Sequence, residues 1–137
     1  MQVREANLAD RIDVRRVLDA AMLAVEDLPD RIDEGGVLVA VENDSVLGAC
    51  VLVPSEEAPA WVVATGVDVH VDAIAVRRRR RGEGIGRALI DRARERGSLS
   101  AAFETDVRPF YDDLGFEILD EKTADGRLRG VWTPGQT

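Results

Sequence analysis

The 137-residue chain carries 18 basic and 26 acidic side chains, a formal net charge of −8, with 45% apolar and 32% charged residues. That size and composition predict one globular domain, residues 1–137, and exclude a disordered chain. No apolar run approaches the roughly 20 residues that cross a bilayer, the opening MQVREANLADR lacks a signal peptide's apolar core, and a single cysteine, Cys50, excludes an intrachain disulfide and a cysteine-based zinc site, so a cytoplasmic protein is expected.

Residues 2–6 read as a first strand. Asn7 is the expected N-cap of a helix over about residues 8–25, with Asp10 placed at its positive end. Val14, Val17, Leu18, Ala21, Met22 and Val25 form its apolar stripe. Residues 28–36, LPDRIDEGG, read as a loop or a frayed short helix. Residues 37–42 and 46–53 are strands joined by an Asn43-Asp44 turn, a hairpin that holds Cys50 as a small buried thiol. After a loop at 54–59, residues 61–64 are a further β-prone piece. Residues 67–76, VDVHVDAIAV, alternate and then turn continuously apolar, as a strand does when one end is exposed and the other buried.

Residues 84–96 predict a second helix with Ile85, Ala88, Leu89 and Ala93 inside and Gly97 as its stop. A strand at 99–105, a short helix at 109–114 and closing strands at 116–119 and 128–132 complete the chain. The order implies an α/β fold of the α+β kind, a central mixed sheet flanked by helices.

Charge is laid out unevenly. Arg77, Arg78, Arg79, Arg80 and Arg81 are consecutive, while the rest of the chain holds 13 basic against 26 acidic residues. A general nucleic-acid binder needs a broad basic face, so this layout suits one compact anionic ligand. With 17 Arg, one Lys (Lys122) and 15 Asp, the composition is similar to that of proteins from salt-loving, GC-rich microbes. The acidic balance therefore reads first as surface solvation.

The stretch with chemistry in it is IAVRRRRRGEGIGR, residues 74–87. A buried strand ends, an arginine-rich turn follows, and Gly82, Gly84 and Gly86 lead into a helix. Glycines permit positive φ and close ligand approach, and the unpaired N–H groups of a helix N-terminus favour an anion. Arginine adds bidentate phosphate contacts. A pyrophosphate fits this chemistry. A P-loop is excluded because Arg87 and Ala88 stand where Lys and Ser or Thr are required, and the dinucleotide fingerprint fails because position 87 is not glycine.

Arg81-Gly82-Glu83-Gly84-Ile85-Gly86 resembles the R/Q-x-x-G-x-G/A motif of the GNAT superfamily of acyl-CoA-dependent N-acyltransferases. Phe110-Tyr111-Asp112-Asp113-Leu114-Gly115-Phe116 resembles the family's second hallmark, an aromatic-Tyr followed by Gly-Phe, and the likeness spans essentially the whole chain. It implies a GNAT fold and acetyl-CoA as co-substrate, with no metal. Backbone groups of Ile74, Ala75 and Val76 would pair with the pantetheine arm as an added strand, and an amide there would face the thioester carbonyl. Amides of Arg81, Gly82, Glu83, Gly84, Ile85, Gly86 and Arg87 would hold the pyrophosphate, with the Arg81 and Arg87 side chains assisting. The extra charge before Arg81 departs from the family pattern and would reach the ribose phosphate or a second ligand.

The resemblance also implies that Tyr111, the only tyrosine, is the general acid: a phenol is protonated at neutral pH and can donate to a departing thiolate. His70 and Asp72 lie two apart on one face of a strand together with Ile74, and either can act as base through water; the alternative is that both are simply solvated. Glu104 and Asp106 are weaker candidates, and ETDVRPF departs from the asparagine that family members often carry there.

The expected activity is acetyl transfer to a primary amine of a small molecule or protein. A non-catalytic acyl-CoA-binding domain and a nucleic-acid-binding module built on the arginine run are the alternatives. The expected partners are acetyl-CoA and an amine acceptor, without nucleic acid or membrane, and a homodimer is left open.

Overall fold

The structure, a computed structural model, describes residues 1–135. Its strands are β1 (Gln2–Glu5), β2 (Val37–Glu42), β3 (Ser45–Pro54), β4 (Val69–Val76), β5 (Leu99–Phe103), β6 (Glu117–Ile118) and β7 (Leu128–Trp132). Its helices are α1 (Arg11–Ala20), α2 (Leu28–Asp33), α3 (Ala60–Thr65), α4 (Ile85–Ala93) and α5 (Arg108–Asp113). The seven-stranded sheet runs β1-β2-β3-β4-β5-β7-β6. β4 and β5 pair parallel, whereas β1 with β2, β2 with β3, β5 with β7 and β6 with β7 pair antiparallel. This is the mixed α/β architecture that the element order implies. Two compact units are distinguished: Met1–Leu52 with Ala73–Ala93, and Val53–Asp72 with the chain from Arg94 onward.

In the first unit, Asn7 caps as its residue type predicts. Its side-chain oxygen accepts from the Ala9 N–H at 3.0 Å, and the Asp10 carboxylate accepts from the Asn7 N–H at 2.9 Å. This box opens a short 3-10 turn, Leu8–Asp10, that runs into α1. The helix then stops at Ala20, short of the expected residue 25. Met22 takes a left-handed backbone, φ 60°, the Leu23 N–H donates to the Leu18 carbonyl, and the Met22 N–H donates to the Asp19 carbonyl. That is a Schellman ending with methionine where glycine usually stands. The apolar spacing runs on past it, but Met22 is 92% exposed while Val25 returns to the core. Residues 28–33 form a true helix, α2, which buries Leu28 and Ile32 one turn apart.

The hairpin forms as expected, with Asn43 at φ 51° and Asp44 at φ 65°, the pair of positive angles a two-residue turn of matching twist requires. A bulge follows, where Ala40 pairs with Gly48 but Val41 with Val46. The core of this unit gathers Val14, Val17 and Leu18 of α1 with Val37, Val39, Ala49, Val51, Ala73 and Ala75. α4 buries Ile85, Leu89, Ile90 and Ala93. Ala88, expected on the inner stripe, is only half-buried, and Ile90 takes the inward position instead. A Cβ on Gly48 would lie 3.1 Å from Ile85 Cγ2 and 3.2 Å from Leu89 Cδ1, so glycine there lets α4 seat closely on β3.

In the second unit, residues 61–64 belong to helix α3 rather than to the expected strand. Pro59 sets its start, Gly66 at φ 77° ends it, the Thr65 hydroxyl donates to the Val62 carbonyl at 2.6 Å, and Val62 is fully buried. Four β-prone residues do not outweigh such punctuation together with one anchoring side chain. β4 enters this unit through Val69, His70 and Val71, paired with Leu99, Ser100 and Ala101. Leu128, Gly130 and Trp132 of β7 face inward.

Candidate functional site

β4 ends at Val76, and Arg77 is fastened to the bulged part of β3: its N–H donates to the Leu47 carbonyl at 2.8 Å and its Nε to the Val46 carbonyl at 2.6 Å. A single 3-10 turn, Arg78–Arg80, follows, and Gly82 and Gly84 then take φ of 82° and 81°. Glycine is strongly favoured at both, since an L side chain rarely adopts that conformation. No atom lies within 4 Å of where a Cβ would sit on either one, so the space beside each glycine is open. The Gly84 carbonyl accepts from the Ala88 N–H at 3.0 Å and so starts α4.

The N–H groups of Gly82, Glu83, Gly84, Ile85, Gly86 and Arg87 make no hydrogen bond to another described residue. They form a run of donors at the positive end of a nine-residue helix, the arrangement that binds an anion. The structure thus brings together, in one continuous segment of the first unit, Arg81 through Arg87 and the strand residues Ile74, Ala75 and Val76. Ala75 is buried, and Ile74 and Val76 are half-buried.

The arginine run is not uniformly available. Arg80 Nη2 reaches Glu42 at 2.6 Å and its Nε reaches Glu83 at 2.8 Å, which holds the Glu42 carboxyl below its usual range. Arg81 Nε makes a long contact to the Val76 carbonyl, 3.4 Å. Arg78, Arg79 and Arg87 are exposed.

The second unit holds the catalytic candidates. His70 is 5% exposed, with Nδ1 2.8 Å from Ser100 Oγ and its ring edge-on to Trp61, centroids 5.8 Å apart. Burial pushes its imidazole below the usual histidine range; the Asp72 charge acts in the opposite sense, and Arg127 adds to the depression. The solvated alternative therefore describes Asp72, which is exposed, and not His70. Ser100 is a partner that sequence reasoning did not find. It lies 30 residues away and meets His70 only because β4 and β5 pair in parallel register. Trp61 is a second such partner, since its place in a helix and not in the expected strand brings it to His70; its ring also carries the Arg129 guanidinium at 5.0 Å.

Tyr111 lies in α5 and is buried. Its ring stacks on Phe103 at 4.0 Å and 13° and meets Phe110 and Phe116 edge-on at 5.0 and 5.1 Å. Glu104 and Asp106 are exposed. Among the described residues no group of three or more His, Cys, Asp or Glu is placed to hold a metal, and no helix is long and apolar enough to cross a membrane.

A family model described as an acetyltransferase (GNAT) domain matches residues 33–118, which include β4, the glycine turn and α4. The chain belongs to the GNAT acetyltransferase family. Solved structures of other proteins share its fold at low identity. An N-acetyltransferase from Thermoplasma acidophilum, solved in complex with coenzyme A, is 12% identical with a TM-score of 0.72, covering 96% of this chain and 98% of its own. A Mycobacterium tuberculosis protein, also in complex with coenzyme A, is 18% identical with a TM-score of 0.72, covering 97% of this chain and 99% of its own. An N-acetyltransferase from Staphylococcus aureus is 15% identical with a TM-score of 0.68, covering 96% and 98%. A comparison with curated proteins gave no match.

Proposed function

We propose that this GNAT protein is an acetyl-CoA-dependent N-acetyltransferase, residues 1–137 acting as one domain that transfers acetyl directly to a primary amine of a small molecule or protein. The observation that carries the reading is the run of N–H donors from Gly82 to Arg87 that have no partner among the described residues, beside glycines with open space at their Cβ positions. A helix N-terminus with free N–H donors suits a diphosphate, and two proteins of similar fold were solved with coenzyme A.

Acetyl-CoA supplies an activated thioester; the chain's own residues position it and move the protons. The ladder between β4 and β5 covers Val69 to Val71, and Ile74, Ala75 and Val76 lie beyond it, which supports their role in pairing with the pantetheine arm. His70, held neutral by burial, is a competent proton acceptor at pH 7, and exposed Asp72 is the second candidate base. Tyr111 is proposed as the acid.

Burial of the Tyr111 ring among three phenylalanines favours a second reading, a non-catalytic acyl-CoA binder in which this residue only packs. Thiol release from acetyl-CoA across an amine panel separates the two. Release that falls in Tyr111→Phe while coenzyme A affinity is kept supports the acid role; unchanged release removes it. Coenzyme A titrated calorimetrically against Gly84→Asp tests the cradle, and retained affinity contradicts it.

A further inference from the structure

A cavity of about 580 Å³ opens in the first unit between α1, the β2–β3 turn and the arginine turn that precedes the glycines. Five of its lining residues are arginines, namely Arg16, Arg77, Arg78, Arg79 and Arg80, against one carboxylate, Glu42. We propose that this cavity is a second anion site, for a small molecule carrying two or three linked phosphates, distinct from the donor run at Gly82 to Arg87.

Two of the arginines are built into place. Arg77 is tied through Nε to the Val46 carbonyl, and Arg80 is clamped between Glu42 and Glu83. These ties orient the guanidinium groups and compensate only one of the five charges lining the cavity. Arg78 and Arg79 are exposed and hold no ion pair among the described residues, and Arg16 reaches Asp13 only at 3.8 Å. Consecutive like charges on one turn repel until an anion enters between them, and guanidinium groups pair bidentately with phosphate oxygens. A single carboxylate would leave most of that charge uncompensated, whereas a linked di- or triphosphate spans several guanidiniums. A long polyanion is disfavoured because the rest of the chain holds 13 basic against 26 acidic residues. Val17, Ala20 and Leu47 add an apolar wall, and the volume falls in the range of small-molecule sites.

Calorimetry on the full chain tests this with tripolyphosphate and ATP as probes, at about 0.15 M salt, with and without saturating coenzyme A. Without coenzyme A the donor run at Gly82 to Arg87 also takes a polyphosphate, so one-to-one binding of tripolyphosphate is expected under saturating coenzyme A. It should weaken at least about tenfold in Arg78→Ala/Arg79→Ala and stay within about threefold in Gly84→Asp. Tighter binding of ATP assigns the apolar wall to a nucleoside; equal binding assigns the ligand to the phosphates alone. Abolition of all tripolyphosphate binding by saturating coenzyme A, loss in Gly84→Asp to the same degree as in the double variant, no binding at this salt, or full binding by the double variant each overturns the proposal. Both arginines are exposed, and a thermal melt of the double variant that matches the parent ties its loss to binding and not to the fold.

Discussion

Gly84 combines φ 81° with open space at its Cβ position, so alanine there is penalised by backbone conformation and not by crowding. Gly84→Ala is expected to cost about 1 to 2 kcal/mol, read from denaturant unfolding. Gly84→Asp carries a similar penalty and also sets a carboxylate among the anion donors. At His70 the physics is titration. Burial depresses the folded pKa, so the unfolded chain binds the extra proton and stability is full above the unfolded value near 6.5. As pH falls below that value, stability declines until the folded pKa is passed. Melting temperature compared between the parent and His70→Gln should diverge in slope across this interval, the variant being flatter. Parallel slopes would mean that His70 is not held neutral.

At the scale of elements, α1 ends in a Schellman motif with a non-glycine residue at its left-handed position. Met22 is 92% exposed, so Met22→Gly forfeits little packing and relieves the left-handed strain. A gain of about 0.5 to 1 kcal/mol is expected by chemical denaturation, the relief being partly offset by glycine's greater unfolded-state entropy. Gly48 is the opposite case. Its Cβ direction meets the Ala75 carbonyl at 3.0 Å as well as the side chains of α4, so Gly48→Val should destabilise by about 1 to 3 kcal/mol. Because α4 carries the donor run at its N-terminus, coenzyme A affinity should fall in the same variant, measured well below its melting temperature. The two changes were not equally visible in the residue string. Asn43-Asp44 and Gly97 announce their turns through residue type. The end of α1 carries no glycine, and the apolar spacing continues through it.

For the whole molecule, a net charge of −8 and a pI near 4.7 imply self-repulsion at neutral pH. Raising salt from about 0.01 to about 0.15 M shortens the screening length from about 30 to about 8 Å. Melting temperature is therefore expected to rise over that range; a fall would show that ion pairs such as Arg4 with Asp10, 2.8 Å apart, outweigh the repulsion. Anion binding at the arginine turn should weaken over the same range, since the same ions screen both.

Residues 74–87 announced their structure locally. A strand that turns apolar, glycines at alternate positions and a helical stripe are properties of neighbours in sequence, and short-range sterics and hydrogen bonding settle them. The hairpin turn, the cap at Asn7 and the GNAT motifs were legible for the same reason. Pairings across long separations were not. His70 meets Ser100 30 residues on, and Arg80 meets Glu42 38 residues back. Which side chains become neighbours there depends on strand order and register, which the sheet chooses as a whole. Residues 61–64 fell between these cases, since their β-preference is weak and the burial of Val62 in a helical turn overrode it. Composition and motif thus determined the family, the glycine turn that starts α4 and the acidic charge balance. Tertiary packing alone decided which arginines stay available to a ligand, because their competing carboxylates and carbonyls arrive from distant strands.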